Sequence, residues 1–202
     1  IGDYIIFPRP GENIDFGKNC VKSPGLDDKI GLFVVAEILQ NLIRYEKNID
    51  WLDKYTIYFV ATVQEELGLR GATVATQRIK PDISIDLDVT FATDGGIDVK
   101  KSEHGEVYLG KGCVIQYGAD KSRRLGRLFK DISKNSNIPT QINVSGPGGT
   151  NTDAIQLFGG DCETILISIP NRNMHTPVEI CDYRDVQAAI DIITEAIMNC
   201  SL

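Results

Sequence analysis

The sequence predicts an α/β protein: a mostly parallel sheet covered by helices on both sides, in three layers. Short β-branched runs alternate with amphipathic stretches along most of the 202 residues, the pattern of strands joined by crossover helices. One run, 164–169 (TILISI), is almost continuously apolar, as a strand buried on both faces must be. Another, 56–63, breaks abruptly into Gln64-Glu65-Glu66, and open sheets of this class place their ligands beyond the carboxyl ends of their strands.

The elements follow in order. Residues 1–19 hold a short strand (Tyr4, Ile5, Ile6, Phe7) and a Pro/Gly/Asn-rich loop. They read as the trailing edge of a separate module, with 20–202 as the main domain. The first residue is Ile1 rather than Met, which reads as a chain begun inside a larger protein or after processing. Leu26-Asp27-Asp28-Lys29 opens a helix whose apolar face is Leu32, Val35, Ala36, Leu39 and Ile43. After a polar connection at 48–54 comes the strand 56–63, then a helix over 68–79 ended by Pro81. Residues 83–89 (ISIDLDV) form a strand with acidic residues at its outgoing end, followed by a polar loop at 94–104. Residues 106–109 and 114–117 pair as strands around a GKG turn. An amphipathic helix spans 120–135, with Leu125, Leu128, Phe129 and Ile132 inward. Then come a short strand at 141–144, a flexible loop at 145–152 (SGPGGTNT), a short helix at 153–158 and the strand 164–169. A loop over 171–179 carries His175. Asp182 caps a last helix with the stripe Val186, Ala189, Ile190, Ile193 and Ile197.

The bulk properties exclude several function classes. The formal charge is -7, and no basic run interleaves with aromatics, which argues against a nucleic-acid partner. No apolar run is long enough to cross a membrane, and no signal-peptide pattern opens the sequence. Five cysteines (Cys20, Cys113, Cys162, Cys181, Cys200) are scattered without a CxxC. They read as reduced, mostly buried thiols, so the expected location is the cytoplasm.

Five residues fall at the end of the sheet where a site belongs: Asp27 at a helix entry, Glu65 and Glu66 after one strand, Asp88 at the end of the next, and His175 after the last. Adjacent carboxylates at the end of a buried strand need a cation to answer them. Carboxylates with imidazole suit zinc, cobalt or manganese, and a carboxylate bridging two such ions is the usual device for activating water. Taken singly, each has a plainer reading: Asp27 as a helix cap, Asp88 and the Glu pair as turn residues, His175 as a surface histidine. Their shared position is what points to chemistry. GEVYLGK at 105–111 has phosphate-loop spacing, but Gly112 stands where Ser or Thr should hold magnesium. Ser102 and His104 lack a nucleophile elbow, and His104 reads as a solvated loop residue. The glycines of SGPGGT read as a flexible pocket rim.

Taken together, KSPGLDDKIG, ATVQEELGLRGA, LDVTFATD, YLGKG, GGTNTDAIQL and ISIPNRNMHTPVEICDYRDV, in this order, resemble the dinuclear-metal aminopeptidases. That family includes glutamyl and tetrahedral aminopeptidases, and some members are labelled endoglucanase or cellulase. The resemblance covers nearly the whole chain and implies a zinc-peptidase-like three-layer fold lacking its N-terminal segment. It implies that Asp27 bridges two divalent ions, zinc or cobalt before manganese, and that Asp28 shapes the turn. Glu66 and His175 complete one metal site with Asp27, and Asp88 belongs to the other. Glu65 is implied as the general base acting on the attacking water, and a peptide is the implied substrate. Family members take a further histidine from an N-terminal segment that precedes an inserted β-rich domain. His104 does not match that position. Residues 1–19 then correspond to the last piece of the inserted domain, and 20–202 to an incomplete catalytic domain. The second metal site is short of a ligand, and an apolar face or edge is expected to be exposed. A homo-oligomer is implied for the full-length parent, and weak or no activity for this chain alone. Two other readings stand beside this one: a non-catalytic metal-binding or assembly module, and, on family labels only, a polysaccharide hydrolase. Residue preference is not legible.

Overall fold

The computed structural model describes residues 14–15, 19–44, 55–95, 99–144, 149–199 and 202. The strand expected at 4–7, and with it most of the 1–19 module, lies outside the described residues.

The central sheet has four strands: β3 (Ile83–Phe91), β6 (Glu163–Asn171), β4 (Cys113–Tyr117) and β5 (Thr140–Val144), in that spatial order. β3 runs parallel to β6 and β4 parallel to β5, while β4 and β6 are antiparallel. The sheet is mostly parallel, as predicted. β6 sits between β3 and β4, which is why its residues from Thr164 to Asn171 are all buried. Helices α1 (Leu26–Arg44), α4 (Arg123–Asn135) and α6 (Tyr183–Asn199) close one face. There Val34, Ile38, Phe129, Val186 and Ile193 meet Val89, Ile115, Ile165, Ile167 and Ile169 in the main core. Helices α2 (Arg70–Ile79) and α5 (Asn151–Phe158) form a separate small core through Ala72, Ala154, Ile155 and Cys162. The α6 stripe expected from spacing is buried throughout, and the Asp182 carboxylate caps α6 by accepting the Arg184 N–H at 2.9 Å. A small antiparallel sheet, β1 (Ile14–Asp15), β2 (Cys20–Ser23) and β7 (Glu179–Asp182), was not foreseen. Its strands are too short to show periodicity.

Four expectations need correction. The strand expected at 56–63 is extended but has no ladder partner among the described residues. It keeps the two-residue alternation of a strand: Ile57 and Phe59 pack on the main core, while Tyr58 and Val60 are 60% and 41% exposed. The propensity is present but a neighbour to bond is not. The pairing of 106–109 with 114–117 also fails. Val107 instead exchanges hydrogen bonds with Thr93, and Asp185 accepts the Gly110 and Gly112 N–H groups at 2.7 Å each. His104 is not on an open loop: it ends a one-turn helix, α3 (Lys101–His104), and its ring lies 4.5 Å from that of Phe91. Residues 151 and 152, expected in a loop, already belong to α5, which opens with a capping box from Thr150 and Asp153.

Helix α1 departs further from expectation. It carries two apolar stripes, and the one buried is Ile30, Val34, Ile38 and Leu42. The stripe chosen from spacing is largely exposed: Leu32 49%, Leu39 38% and Ile43 59%, with neighbouring Phe33 at 48%. A helix apolar on two faces has two surfaces to cover.

The two stripes give opposite outcomes on substitution. Ile38→Ala is expected to lower unfolding stability by about 2–5 kcal/mol, and Ile43→Ala to leave it within about 0.5 kcal/mol, by urea titration. The 202-residue chain should self-associate in sedimentation velocity. The Leu39→Lys/Ile43→Lys double variant should shift it toward monomer; an unchanged distribution would refute the role of this stripe.

Candidate metal centre

Asp27 and Asp28 open α1, but neither has helical dihedrals (φ -80, ψ 109 and φ -118, ψ 52). Regular helix begins after them, and Asp28 acts as its cap, Oδ1 accepting the Gly31 N–H at 2.9 Å. A Cβ at position 31 would lie 2.3 Å from the Asp28 carboxylate, so glycine is what lets that carboxylate fold over the helix start. Asp27, relieved of capping, turns its carboxylate toward His175.

Glu65 and Glu66 sit on the turn that leads from the extended segment into α2. Gln64 enters it with φ 60. The Glu65 carbonyl accepts the N–H groups of Gly68 and Leu69 at 3.0 Å each, and Gly71 donates to the Val63 carbonyl at 3.0 Å. A Cβ on Gly71 would stand 2.5 Å from Val63 backbone atoms, so the turn closes only around glycine. His175 lies beyond β6 with φ 62, a left-handed conformation that a non-glycine residue holds only when its surroundings fix it. Its N–H is taken by Glu179 Oε1 at 3.0 Å.

These turns bring three of the five expected residues together. His175 Nε2 is 3.0 Å from Asp27 Oδ2 and 3.4 Å from Glu66 Oε1, and one ligand atom from each lies within 4.8 Å of the others. Asp88 is not in that group. It lies on β3 opposite Ser168, its Oδ1 accepting the Val89 N–H at 2.8 Å. Glu65 is beside the trio, half-buried, and no hydrogen bond reaches its carboxylate among the described residues.

The electrostatics are one-sided. Burial, then the Glu66 charge, pushes the Asp27 carboxyl up to about 6, with His175 opposing. Burial and Asp88 push Asp28 up to about 8. Burial, with Glu65 and Asp27, pushes Asp88 up to about 7. Glu65 is raised by burial and then Glu66. No lysine or arginine forms an ion pair with any of these carboxylates among the described residues. Two oxygen donors and an imidazole nitrogen, delivered by three separate turns with Asp27 part-buried and Glu66 and His175 exposed, fit a divalent cation.

Sequence reasoning passed over two residues. Glu179 is 2% exposed and accepts the Asp27 N–H on Oε2 as well as the His175 N–H on Oε1. An acid at the head of an otherwise apolar run was its only signal. Phe91, at the end of β3, lies between two imidazoles, His104 at 4.5 Å and His175 at 6.4 Å between ring centroids. Nothing in the sequence marks that contact.

Several known proteins are similar to this chain in sequence and fold. A lysyl aminopeptidase of Pyrococcus furiosus is 36% identical over 173 residues, which is 84% of this chain and 46% of that protein. The structure of an aminopeptidase from the archaeon Desulfurococcus kamchatkensis superposes with a TM-score of 0.82 at 32% identity, over 97% of this chain and 53% of that one. The TET1 peptidase of Pyrococcus horikoshii, described as assembling into a tetrahedron or a large octahedral shell, superposes with a TM-score of 0.74 at 28% identity, over 93% and 53%. The chain spans about half the length of the curated relatives it matches. The family model for the M42 glutamyl aminopeptidases matches residues 1–192, and the chain belongs to that family.

Proposed function

We propose that residues 20–202 are the larger part of the catalytic domain of a metal-dependent aminopeptidase, which removes N-terminal residues from peptides. Residues 1–19 are the last piece of a β-rich domain inserted into it. The observation that carries this reading is the convergence of Asp27, Glu66 and His175 within 4.8 Å, with the free carboxylate of Glu65 beside them.

In this reading Asp27, Glu66 and His175 would hold one divalent ion, zinc or cobalt before manganese, and Asp27 and Asp88 would contribute to a second. When bound, such ions would supply Lewis acidity toward the scissile carbonyl and the attacking water. Glu65 supplies the proton transfer. Burial and then the Glu66 charge raise its pKa, which makes it a stronger base, suited to take a proton from water and return one to the leaving amine. The second ion needs a further histidine. His104 packs on Phe91 and is not in the metal group, so the 202-residue chain alone is weak or inactive. The full-length polypeptide assembles as a homo-oligomer, in line with the shells described for the Pyrococcus horikoshii relative.

Three outcomes test this. In the full-length polypeptide carrying these residues, Glu65→Gln should lower hydrolysis of aminoacyl amides by about 100- to 10,000-fold, with substrate KM changing little. A variant that keeps wild-type turnover removes Glu65 from the chemistry. A chelator should abolish activity and added Zn2+ or Co2+ restore it; a polysaccharide hydrolase relying on two carboxylates would be indifferent.

The third outcome concerns pH. Asp27, Asp28 and Asp88 have raised values, so the folded chain binds more protons than the unfolded one from about pH 4 upward. The contribution of these three groups to stability without metal is therefore fully present below about pH 4 and is lost as pH rises from there through about 6 to 8. Thermal unfolding of the metal-free chain should give a higher Tm near about pH 5 than near about pH 8, and saturating Zn2+ should shrink the difference. A flat profile would contradict the desolvated acidic cluster.

A further inference from the structure

We propose that Glu179 is a positioning residue that sets the metal geometry by gripping the backbones of two candidate ligands at once. The proposal rests on the metal reading of Asp27, Glu66 and His175. Glu179 opens β7, which pairs with β2 in the small sheet, Glu179 opposite Ser23. Its side chain is buried, and each oxygen has its own backbone partner: Oε2 takes the Asp27 N–H and Oε1 the His175 N–H, both at 3.0 Å. One carboxylate therefore ties the entry of α1 to the loop after β6. Those two segments are 148 residues apart by residue number (175 − 27), yet they present Oδ2 and Nε2 at 3.0 Å.

The grip explains two backbone features. His175 holds φ 62 where few non-glycine residues would, and its amide faces the Glu179 oxygen. Asp27 is held outside helical dihedrals, with its amide facing the other oxygen. Glu179 is not in the metal group and its oxygens face the amides of two candidate ligands, so it acts through the ligands.

A carboxylate is the side chain this task requires. It offers two acceptors and no donor. Glutamine in its place would accept one amide and turn an NH2 toward the other, leaving a buried donor unpaired. Aspartate keeps the charge but is one methylene short of spanning both amides.

The test uses the 202-residue chain, with Co2+ as the probe and amide hydrogen exchange as a readout independent of metal. In the wild-type chain the Asp27 and His175 amides should exchange slowly. Glu179→Gln should speed exchange at these positions by about tenfold or more, weaken Co2+ binding by about 10- to 100-fold, and alter the visible absorption of the bound ion. Glu179→Asp should act in the same direction, and it carries the comparison if the Gln variant does not fold. Ser133→Ala removes hydrogen bonds to Ile138 and Thr140 far from the centre and serves as the stability control; it should keep the wild-type Co2+ constant and spectrum. Wild-type Co2+ affinity and spectrum in a folded Glu179 variant would overturn the positioning role while leaving the metal reading intact. An equal loss of affinity in Ser133→Ala would overturn it as general destabilisation. No Co2+ binding by the wild-type chain would overturn the metal reading itself, and the positioning role with it.

Discussion

The centre depends on unanswered negative charge. Asp27, Asp28, Glu65, Glu66 and Asp88 share the carboxyl end of β3 and the adjoining turns, and the only basic side chain paired with any of them among the described residues is His175. Each added carboxylate raises the cost of ionising its neighbours, and burial raises it again. Without a cation such a cluster holds protons to the neutral range, as Asp28 and Asp88 do. The fold tolerates this because the carboxylates sit on turns fixed by backbone hydrogen bonds, so their repulsion is not relieved by moving apart.

That fixing is done by small means. Gly31 and Gly71 admit close approaches that a Cβ would forbid, and Glu179 couples two remote segments with two hydrogen bonds. Among the described residues the sheet beneath is paired unevenly. β6 is covered by neighbours throughout, whereas β3 has a sheet partner only in β6, and the extended segment 55–62 has none among the described residues. With the exposed stripe on α1, the surfaces left uncovered are those of a strand and a helix, the two kinds of element that build this fold.

Sequence pattern captured the architecture where periodicity and burial agree. β6 and α6 are apolar on the faces that pack, and both lie where spacing places them. It failed where local propensity met a tertiary condition invisible to it. The 56–63 run has a strand's composition but no ladder partner among the described residues. Helix α1 has two apolar stripes of the same period, and periodicity cannot say which one turns inward. Asp27, Glu66 and His175 were legible as members of a motif and are brought together. Asp88 was legible by the same route; it is not in that trio, but its carboxyl feels the charges of Asp27 and Glu66. Glu179 was not legible, because its role lies in the direction of two backbone amides, which only the folded chain defines.

The carboxylates around the centre can be sorted by what their oxygens face. Glu179 faces two backbone amides, Asp28 the Gly31 amide and Asp88 the Val89 amide. Asp27 and Glu66 face the His175 imidazole. Glu65 faces no donor among the described residues. A carboxylate fully engaged by amides is fixed and has little basicity to lend, so it suits scaffolding. One engaged on a single oxygen has the other left to offer. One facing an imidazole suits the ligand role proposed for Asp27 and Glu66. A half-buried carboxylate with no donor among the described residues can change its protonation state without breaking a structural bond, which suits the proton-transfer role proposed for Glu65. Adjacent in sequence, Glu65 and Glu66 separate on this criterion alone. The difference comes from the turn: entered with a left-handed Gln64 and closed on Gly71, it aims one side chain at His175 and leaves the other unengaged.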